Sequence, residues 1–294
     1  MLPPPPLNVL EIGGATGILE RTYRETSHNK ITNWYIIDPK PNPIDTNAEY
    51  ITGYFPDDVP DKLKFDMIVH SHVMEHSYSP RDFVKKLSSI MPLGMKMVFS
   101  VPNLGYLLKN KSVSILNFEH TVYLSEQYVD YLLINFGFCI ENKFNFNNHS
   151  IIYSVQKVQK NQNADKAVIP NLYKENKLLF MNYIDTNRMK MNRLNRLIRD
   201  TNRPIFLFGG HISSQFYIAF GLNVGKISGI LDNDVFKHGK RLAGTDLIVS
   251  SPNSLQKYKE PIVILPDSPY ADEIKEKLIS DTGCHVEFIE MRKL

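Results

Sequence analysis

The sequence predicts an α/β protein made of two units, each with a parallel sheet that helices cover on both faces. Short apolar runs alternate with amphipathic segments between residues 8 and 155. The same alternation restarts at Pro204 and continues through the remaining residues. In both places the first apolar run ends in glycines, which is typical of strand-to-helix turns that bind nucleotides. Alternation of this kind indicates parallel strands joined by helical crossovers.

The first unit contains apolar runs that predict strands and amphipathic segments that predict helices. The strands are expected at 8–12, 33–38, 48–54, 65–72, 96–103, 138–146 and 150–158. The helices are expected at 18–26, 80–91 and 125–138. The helix at 80–91 carries an apolar stripe that predicts packing against a sheet. The stripe consists of Phe83, Val84, Leu87 and Ile90. Ser125 and Gly137 are the expected cap and stop of the last helix.

Changes in composition divide the chain into three segments. Residues 1–158 are predicted to form the first domain, 159–203 a linker with a connecting helix or helix pair, and 204–294 a smaller second domain. The stretch "QKNQNADKAVIPN" is polar and poor in large apolar residues, which is typical of a linker. The helical stretch that follows is basic, which fits either a solvated face or part of a diphosphate cradle.

Bulk composition narrows the possible classes of protein. The chain has 294 residues, a formal net charge of only +3, and 43% hydrophobic residues. So small a charge does not by itself indicate a nucleic-acid partner. Two distant cysteines exclude a disulfide scaffold and fit a reducing compartment. With no signal peptide and no apolar stretch near the roughly 20 residues that span a bilayer, we expect a cytoplasmic protein without a membrane partner.

The stretch "NVLEIGGATG" places three glycines at the tip of the first predicted strand. Glycines there allow a sharp turn into a helix whose amino end faces a ligand. Asp38 ends the second predicted strand, where a carboxylate can accept hydrogen bonds from both hydroxyls of a ribose. Together these features indicate a nucleoside or dinucleotide ligand. The glycine spacing fails the G-x-G-x-x-G pattern, which disfavours a dinucleotide oxidoreductase.

Two motifs in this region resemble those of the class I S-adenosylmethionine (SAM)-dependent methyltransferases. "VLEIGGATG" resembles their motif I, E-x-G-x-G-x-G, with alanine at the middle glycine. "HVMEH", after the fourth predicted strand, resembles their "HVLEH" form. The resemblance covers residues 8 to 155 and implies a Rossmann-like fold with SAM as cofactor. It implies backbone contacts to SAM from Gly13, Gly14, Ala15 and Gly17. 

The resemblance also implies roles for side chains around the cofactor. Asp38 would bind the ribose, and Glu11 would lie near the amino-acid end of SAM. Tyr54 and Phe55, after the third strand, are candidates for packing on adenine, although a plain core role is equally open. His70 and His72, at the end of the fourth strand, are further candidate cofactor contacts.

The segment "HSHVMEH" concentrates titratable groups after the fourth strand. A metal site is one interpretation, but no cysteine or aspartate supports it, so we expect no metal. Methyl transfer from a sulfonium needs alignment of the acceptor and, for many acceptors, removal of a proton. His72, Glu75 or His76 could therefore contact SAM or the acceptor. The alternative is that some of them are solvent-facing residues at a helix start.

A second candidate group lies in "NFEHTVYLS", which resembles a segment before the penultimate helix of sugar methyltransferases. Glu119 and His120 could form a carboxylate-supported base, and Tyr123 could point at the acceptor. The alternative is a loop histidine that caps the following helix. We expect His120 rather than His76 to be the base. Asn103, at the tip of the fifth strand, is a candidate polar contact to the acceptor.

The second unit resembles the carboxy-terminal Rossmann-like domain of deoxysugar C-methyltransferases, which act on nucleotide-linked keto sugars. The similarity lies in "GILDNDVFKHGKRLAGTDLIVSSPNSL" and in "FGGHISS". It implies that His211 and Asp232 contribute to substrate binding; a purely structural domain is the alternative. Members of that family carry an amino-terminal zinc-binding domain that this sequence lacks, so O-methylation is as open as C-methylation.

The sequence as a whole therefore predicts an enzyme, a SAM-dependent methyltransferase. The expected acceptor is a small molecule, a sugar or nucleotide-linked sugar of glycan or polysaccharide biosynthesis. A nucleic-acid acceptor is disfavoured by the modest charge and by the lack of an N/D-P-P-Y/F motif after the fourth strand. Two alternatives remain. The acceptor could be another small molecule, or the chain could be a non-catalytic partner protein that binds SAM or a nucleotide.

Overall fold

A computed structural model of the chain describes residues 8–27, 31, 33–113, 115–116, 119–159, 168–268 and 270–294. The chain forms two compact units. Unit 1 comprises Met1–Leu107 and Phe118–Leu172, and unit 2 comprises Leu108–Asn117 and Tyr173–Leu294. Each unit is built on its own sheet, which confirms the predicted α/β fold class.

Unit 1 contains a seven-stranded sheet in the order β3-β2-β1-β4-β5-β7-β6. Its strands are β1 Asn8–Ile12, β2 Asn33–Asp38, β3 Glu49–Thr52, β4 Met67–Ser71, β5 Lys96–Pro102, β6 Phe138–Phe146 and β7 Ser150–Lys157. The first five strands pair in parallel, as expected. The last two strands differ from the predicted parallel sheet, because β7 pairs antiparallel with both β5 and β6. A tight hairpin joins β6 to β7, and only antiparallel strands can be joined so closely.

Four helices accompany this sheet, and their bounds are α1 Ile18–Thr26, α2 Pro80–Ile90, α3 Leu104–Lys109 and α4 Glu126–Asn135. Helix α2 begins where the hydroxyl of Ser79 accepts a hydrogen bond from the Asp82 amide. Helix α4 ends before Gly137, whose φ of 76° is the left-handed conformation expected at a helix stop. Ser125 precedes α4 as predicted, but its hydroxyl makes no capping hydrogen bond.

The core of unit 1 lies between the sheet and helices α2 and α4. The predicted stripe of α2 is confirmed, because Val84 and Leu87 are completely buried and Phe83 nearly so. Across the sheet, the rings of Phe99 and Tyr153 stack at 4.9 Å, which ties the antiparallel hairpin to the parallel strands. Burial of this apolar surface is the main force that holds the sheet in place.

Unit 2 contains a five-stranded parallel sheet in the order β10-β9-β8-β11-β12. Its strands are β8 Ile205–Phe208, β9 Gly229–Leu231, β10 Val249–Ser250, β11 Ile262–Leu265 and β12 Glu287–Glu290. Its helices are α5 Tyr173–Ile198, α6 Ile212–Ala219 and α7 Ala271–Thr282. Helix α5 is one continuous helix within unit 2. Residues Pro252–Lys257 form a 3-10 helix, and the two-residue strand β10 is too short to leave a periodic signal.

Strand order positions the site. In unit 1, β1 lies between β2 and β4, and in unit 2, β8 lies between β9 and β11. The direction of connection reverses beside β1 and beside β8, and ligands of such sheets bind where this happens, at the carboxyl ends of the strands. In the described parts of the chain, no helix combines the length and apolarity needed to cross a bilayer.

Leu87→Ala is expected to destabilise unit 1 by about 2–5 kcal/mol, because it leaves a cavity in a fully buried site. Trp34, the chain's single tryptophan, is 8% exposed in unit 1, so its fluorescence during urea denaturation measures this change. Leu93→Ala is the control, since Leu93 is 64% exposed and its truncation should shift the free energy of unfolding by less than about 0.5 kcal/mol. Equal losses in the two variants would contradict the assigned core.

Candidate functional site

The glycine turn after β1 has a backbone that side chains tolerate poorly. Gly13 and Gly17 have φ of 72° and 76°, and Ala15, in the place of the motif's middle glycine, has φ of 35°. A Cβ atom on Gly14 would lie 2.6 Å from Cδ of Glu11. Glycine is therefore required at 13 and 17 by conformation and at 14 by close packing. The turn leads directly into the first residue of α1.

Asp38 connects this turn to the tip of β2. Its carboxylate is 7% exposed. Its Oδ2 accepts a hydrogen bond from the Ala15 amide at 3.0 Å, and its Oδ1 accepts one from the Lys40 amide at 2.7 Å. A carboxylate oxygen has two lone pairs, so each oxygen can accept one more donor. The carboxylate can therefore hold the turn and bind a ligand hydroxyl at the same time.

Glu11 lies beneath the turn rather than at its surface. The side chain is 4% exposed, and the Trp34 indole donates a hydrogen bond to its Oε2 at 2.7 Å. Burial raises the pKa of Glu11 from 4.5 to about 7, although the indole hydrogen bond acts in the opposite direction. Its role visible in the structure is to anchor the turn from below, through Trp34 and Gly14.

The two aromatic residues after β3 have different environments. Phe55 packs edge-on against Phe83 at 5.8 Å and belongs to the margin of the core. Tyr54 is 68% exposed, while its backbone amide donates to Asp58 at 2.7 Å. The core alternative therefore describes Phe55. Of the two, Tyr54 is the ring that is accessible to an adenine.

His70 is buried in the core, which contradicts its predicted contact with the cofactor. Its ring is 2% exposed, stacks on Phe99 at 4.8 Å, and meets Phe83 edge-on at 5.6 Å. Burial lowers the pKa of His70 to about 3, so the ring is neutral at physiological pH. Side chains alternate between the two faces of a strand, and His70, one residue before the end of β4, points to the face that is covered by Phe83.

His72 is held by a chain of hydrogen bonds. Its Nδ1 lies 2.9 Å from Oε1 of Glu75, and its Nε2 lies 2.9 Å from Oγ of Ser150. The same hydroxyl lies 2.9 Å from Nδ1 of His149. The backbone of His72 has φ of 55°, which is uncommon for a residue with a side chain. Both ring nitrogens of His72 are thus engaged within the protein rather than directed at a cofactor.

His76, His120 and Tyr123 converge beside Glu75. The rings of His76 and His120 are 5.0 Å apart and nearly perpendicular, and the ring of Tyr123 is 6.1 Å from that of His120. The second carboxylate oxygen of Glu75, Oε2, is buried and has no hydrogen-bond partner among the described residues. The structure therefore brings together the two segments that the sequence predicts to carry the catalytic groups.

Backbone contacts fix this convergence. The carbonyl oxygen of Glu75 accepts hydrogen bonds from the amides of Thr121 and Val122 at 3.0 and 3.3 Å. Burial lowers the pKa of His120, and the carboxylate of Glu75 opposes this shift more strongly than that of Glu119 does. Both carboxylates favour the charged form of His120, so the support from Glu119 stays a prediction and Glu75 is a second supporting carboxylate.

The glycine turn, residues 13–17, lies next to the histidine cluster formed by His72, His76 and His120. A Cβ atom on Gly13 would lie 2.8 Å from Cγ2 of Val73, which is flanked by His72 and the Met74–His76 helical turn. The turn after β1 and the segment after β4 therefore touch at the carboxyl edge of the sheet. A molecule held at one would adjoin the other.

Asn103 has a structural role where the sequence predicts a contact to the acceptor. Its Oδ1 accepts a hydrogen bond from the Tyr106 amide at 3.2 Å, which caps α3. Its Nδ2 donates to Oδ1 of Asn145 at 3.1 Å. The amide group is thus used to join the end of β5 to α3 and to the β6–β7 hairpin.

Unit 2 repeats the geometry of the glycine turn. Oδ2 of Asp232 accepts from the Gly210 amide at 2.7 Å, and Oδ1 accepts from the Asp234 amide at 2.8 Å. In addition, Nζ of Lys237 donates to Oδ2 of Asp232 at 3.0 Å. His211 caps α6, with its Nδ1 3.4 Å from the Ser213 amide. Both predicted residues of unit 2 thus lie at one turn and hold it together.

Sequence reasoning predicted Glu75, with His72 and His76, as a candidate contact to SAM or the acceptor, but it did not predict that His149 and Ser150 belong to the site. The signal for Glu75 is its place in "HVMEH". No local pattern marks Ser150, which reaches His72 because β7 pairs with β5 so that Ser150 faces Pro102.

The chain is similar to one protein family and to several solved structures. Residues 1–142 match the family model described as a methyltransferase domain, whereas no curated protein sequence matches the chain. Similar solved structures include the SAM-dependent methyltransferase of Mesorhizobium loti, 16% identical over 51% of this chain and 90% of that chain, with a TM-score of 0.39. The N-methyltransferase NodS of Bradyrhizobium japonicum, solved with S-adenosyl-L-homocysteine, is 14% identical over 52% of this chain and 79% of that chain, with a TM-score of 0.40.

Glu11→Gln is expected to stabilise unit 1 above pH 7 and to leave its stability nearly unchanged below pH 4.5. Because burial raises the pKa of Glu11 from 4.5 to about 7, the folded state binds its proton more tightly, and stability falls as the pH rises between these values. At about 1.4 kcal/mol per pKa unit, the full difference is about 3 kcal/mol. Glutamine retains an oxygen that can accept from Trp34.

Denaturation at a series of pH values, followed by Trp34 fluorescence, measures this difference. Glu49→Gln is the matched control, because Glu49 lies on the neighbouring edge strand β3 with its side chain exposed. Parallel pH profiles for Glu11→Gln and the unaltered protein would contradict the assignment.

Proposed function

We propose that this SAM-dependent methyltransferase methylates a sugar or a nucleotide-linked sugar. Its enzyme class and its cofactor follow from the methyltransferase domain of residues 1–142. The observation that carries the proposal is the position of His120 within 4.8 Å of the carboxylate of Glu75, beside the turn that would hold SAM. A base next to a methyl donor suits an acceptor that must lose a proton.

Cofactor binding is assigned to the glycine turn and Asp38. The backbone amides of the turn and the amino end of α1 present partial positive charge to the carboxylate of SAM. The free lone pairs of Asp38 are placed to accept hydrogen bonds from the ribose hydroxyls, since its other lone pairs hold Ala15 and Lys40. Tyr54 is the candidate stacking partner of adenine, and Glu11 supports the turn from beneath.

Acceptor activation is assigned to His120. When bound, SAM would supply the methyl group of a sulfonium: the acceptor atom would form the new bond to that carbon as the carbon–sulfur bond broke, and S-adenosyl-L-homocysteine would depart with the bonding electron pair. The proton of the acceptor passes to a ring nitrogen of neutral His120. The imidazolium that forms is stabilised by the buried carboxylate of Glu75, which has an oxygen within 4.8 Å of a ring nitrogen of His120. Tyr123 and His76 are positioned to orient the acceptor.

The acceptor class rests on two supports. The segment that carries His120 resembles that of sugar methyltransferases, as described above. Unit 2 repeats, at Gly210 and Asp232, the turn that unit 1 builds at Ala15 and Asp38, and such a turn is suited to a nucleotide. The formal charge of +3 gives no comparable support to a nucleic-acid acceptor.

Asp38→Asn is expected to weaken SAM binding about 10- to 100-fold, because hydrogen bonds to a charged group contribute about 1.5–3 kcal/mol. Isothermal titration calorimetry with SAM measures the change. The matched control is Asp232→Asn, which alters the equivalent turn in unit 2 and should leave SAM affinity unchanged. If Asp232→Asn weakened SAM binding and Asp38→Asn did not, SAM would belong to the other turn.

His120→Gln and Glu75→Gln are expected to lower kcat about 10²- to 10⁴-fold on the true acceptor, with SAM affinity retained. Glu119→Gln should have the smaller effect, because Glu119 influences His120 less than Glu75 does. Mass spectrometry of reactions with a panel of nucleotide-sugars measures turnover and identifies the methylated product. Full turnover in His120→Gln would remove its role as base, and a panel with no methylated member would overturn the sugar assignment.

A further inference from the structure

We propose that Glu75, His76 and His120 bind a divalent transition-metal ion such as Zn²⁺. Each residue offers one ligand atom, and these atoms all lie within 4.8 Å of one another. The sequence argued against a metal because the segment "HSHVMEH" lacks supporting cysteine or aspartate. The fold supplies the missing ligand from a distant segment, since it places His120 against the turn that carries Glu75 and His76.

The carboxylate of Glu75 is the first argument for a cation. Its side chain is 2% exposed, and Oε1 is held by His72 at 2.9 Å. Oε2 has less than 1 Å² of accessible surface and no hydrogen-bond partner among the residues that the structure describes. A buried carboxylate oxygen without a donor is costly. A cation bound by the carboxylate and the two rings would compensate it.

The hydrogen bond of His76 is the second argument. Its Nδ1 lies 3.0 Å from the carbonyl oxygen of Glu119, and a carbonyl can only accept. Nδ1 therefore carries the proton, and Nε2 is left with a free lone pair. Histidines that bind metals commonly donate their other N–H to a carbonyl or carboxylate in this way. The contact of His72 with Oε1 orients the carboxylate ligand of the set in the same manner.

The donor set indicates the class of ion. Two imidazoles and one carboxylate are ligands that Zn²⁺ and related first-row divalent ions accept, and they leave one coordination position for water or substrate. Mg²⁺ and Ca²⁺ prefer oxygen ligands and do not suit two imidazoles. His76 is exposed and His120 is half-buried, so an ion can enter from solvent.

The metal site does not depend on the proposed base role of His120. Metal binding would compete with that role. The ion would occupy a lone pair on the ring, and a coordinated ring cannot take a proton from the acceptor at the same atom. Bound Zn²⁺ is therefore expected to lower turnover, and a chelator to restore it. The binding site can be tested without any acceptor or SAM.

The test is a titration of the full chain, without a polyhistidine tag, with Co²⁺. Visible d–d absorption is expected to saturate at one Co²⁺ per chain, and Zn²⁺ should displace it. His76→Gln and Glu75→Gln should each weaken Co²⁺ binding at least about tenfold. His285→Gln is the control, because His285 is exposed in unit 2 and outside the cluster. Circular dichroism checks that each variant is folded.

The outcomes separate the two proposals. The metal site is overturned if His76→Gln leaves the Co²⁺ affinity unchanged, or if His285→Gln weakens it equally. Because His76 is exposed, its substitution should not disturb folding. His76→Gln therefore decides the matter even if Glu75→Gln does not fold. An inactive His120→Gln with no Co²⁺ binding by the unaltered protein leaves the base role standing alone. Specific binding with undiminished turnover in saturating Zn²⁺ supports the metal site and overturns the base role.

Discussion

The buried carboxylate of Glu75 is the group on which the arrangement of the site depends. Its Oε1 holds His72, and the carboxylate lies within 4.8 Å of ring nitrogens of His76 and His120. The backbone oxygen of the same residue accepts from the amides of Thr121 and Val122. Because a carboxylate removed from water needs hydrogen-bond donors or a cation to compensate it, the groups that can lie next to Glu75 are restricted. One residue thus fixes both the electrostatics and the path of the chain at the sheet edge.

The two units hold the glycine turn after their first strand with equivalent hydrogen bonds. In each, an acid at the end of the second strand accepts from an amide of the glycine turn and from the amide two residues after itself. Unit 2 adds Lys237, which donates to its acid, whereas unit 1 places a histidine cluster beside its turn. The shared turn explains why both units look like nucleotide-binding folds in sequence. The side chains added around it make unit 1 the candidate for chemistry.

Sequence periodicity predicted the elements well where one face of a strand or helix is buried. The stripe of α2 was correct because Val84 and Leu87 must face the sheet to leave water. The expectation that polar residues at strand ends face a ligand was wrong for buried His70, whereas the contact of Asn103 with the acceptor stays a prediction. Each lies at the end of a strand, where polar residues are expected to face a ligand, yet His70 is covered by Phe83 and Phe99, and Asn103 caps α3. Which face is covered at a strand end depends on helices elsewhere in the chain.

The sequence by itself determined the order of strands and helices, the glycine turn and the acid at Asp38, because these depend on local conformation and on short-range hydrogen bonds. Tertiary structure alone decided which polar side chains meet. Ser150 reaches His72 through an antiparallel strand pairing, and His120 reaches Glu75 through backbone hydrogen bonds between distant segments. Contacts of this kind arise from sheet register and loop packing, and neither leaves a periodic trace in the residues that make them.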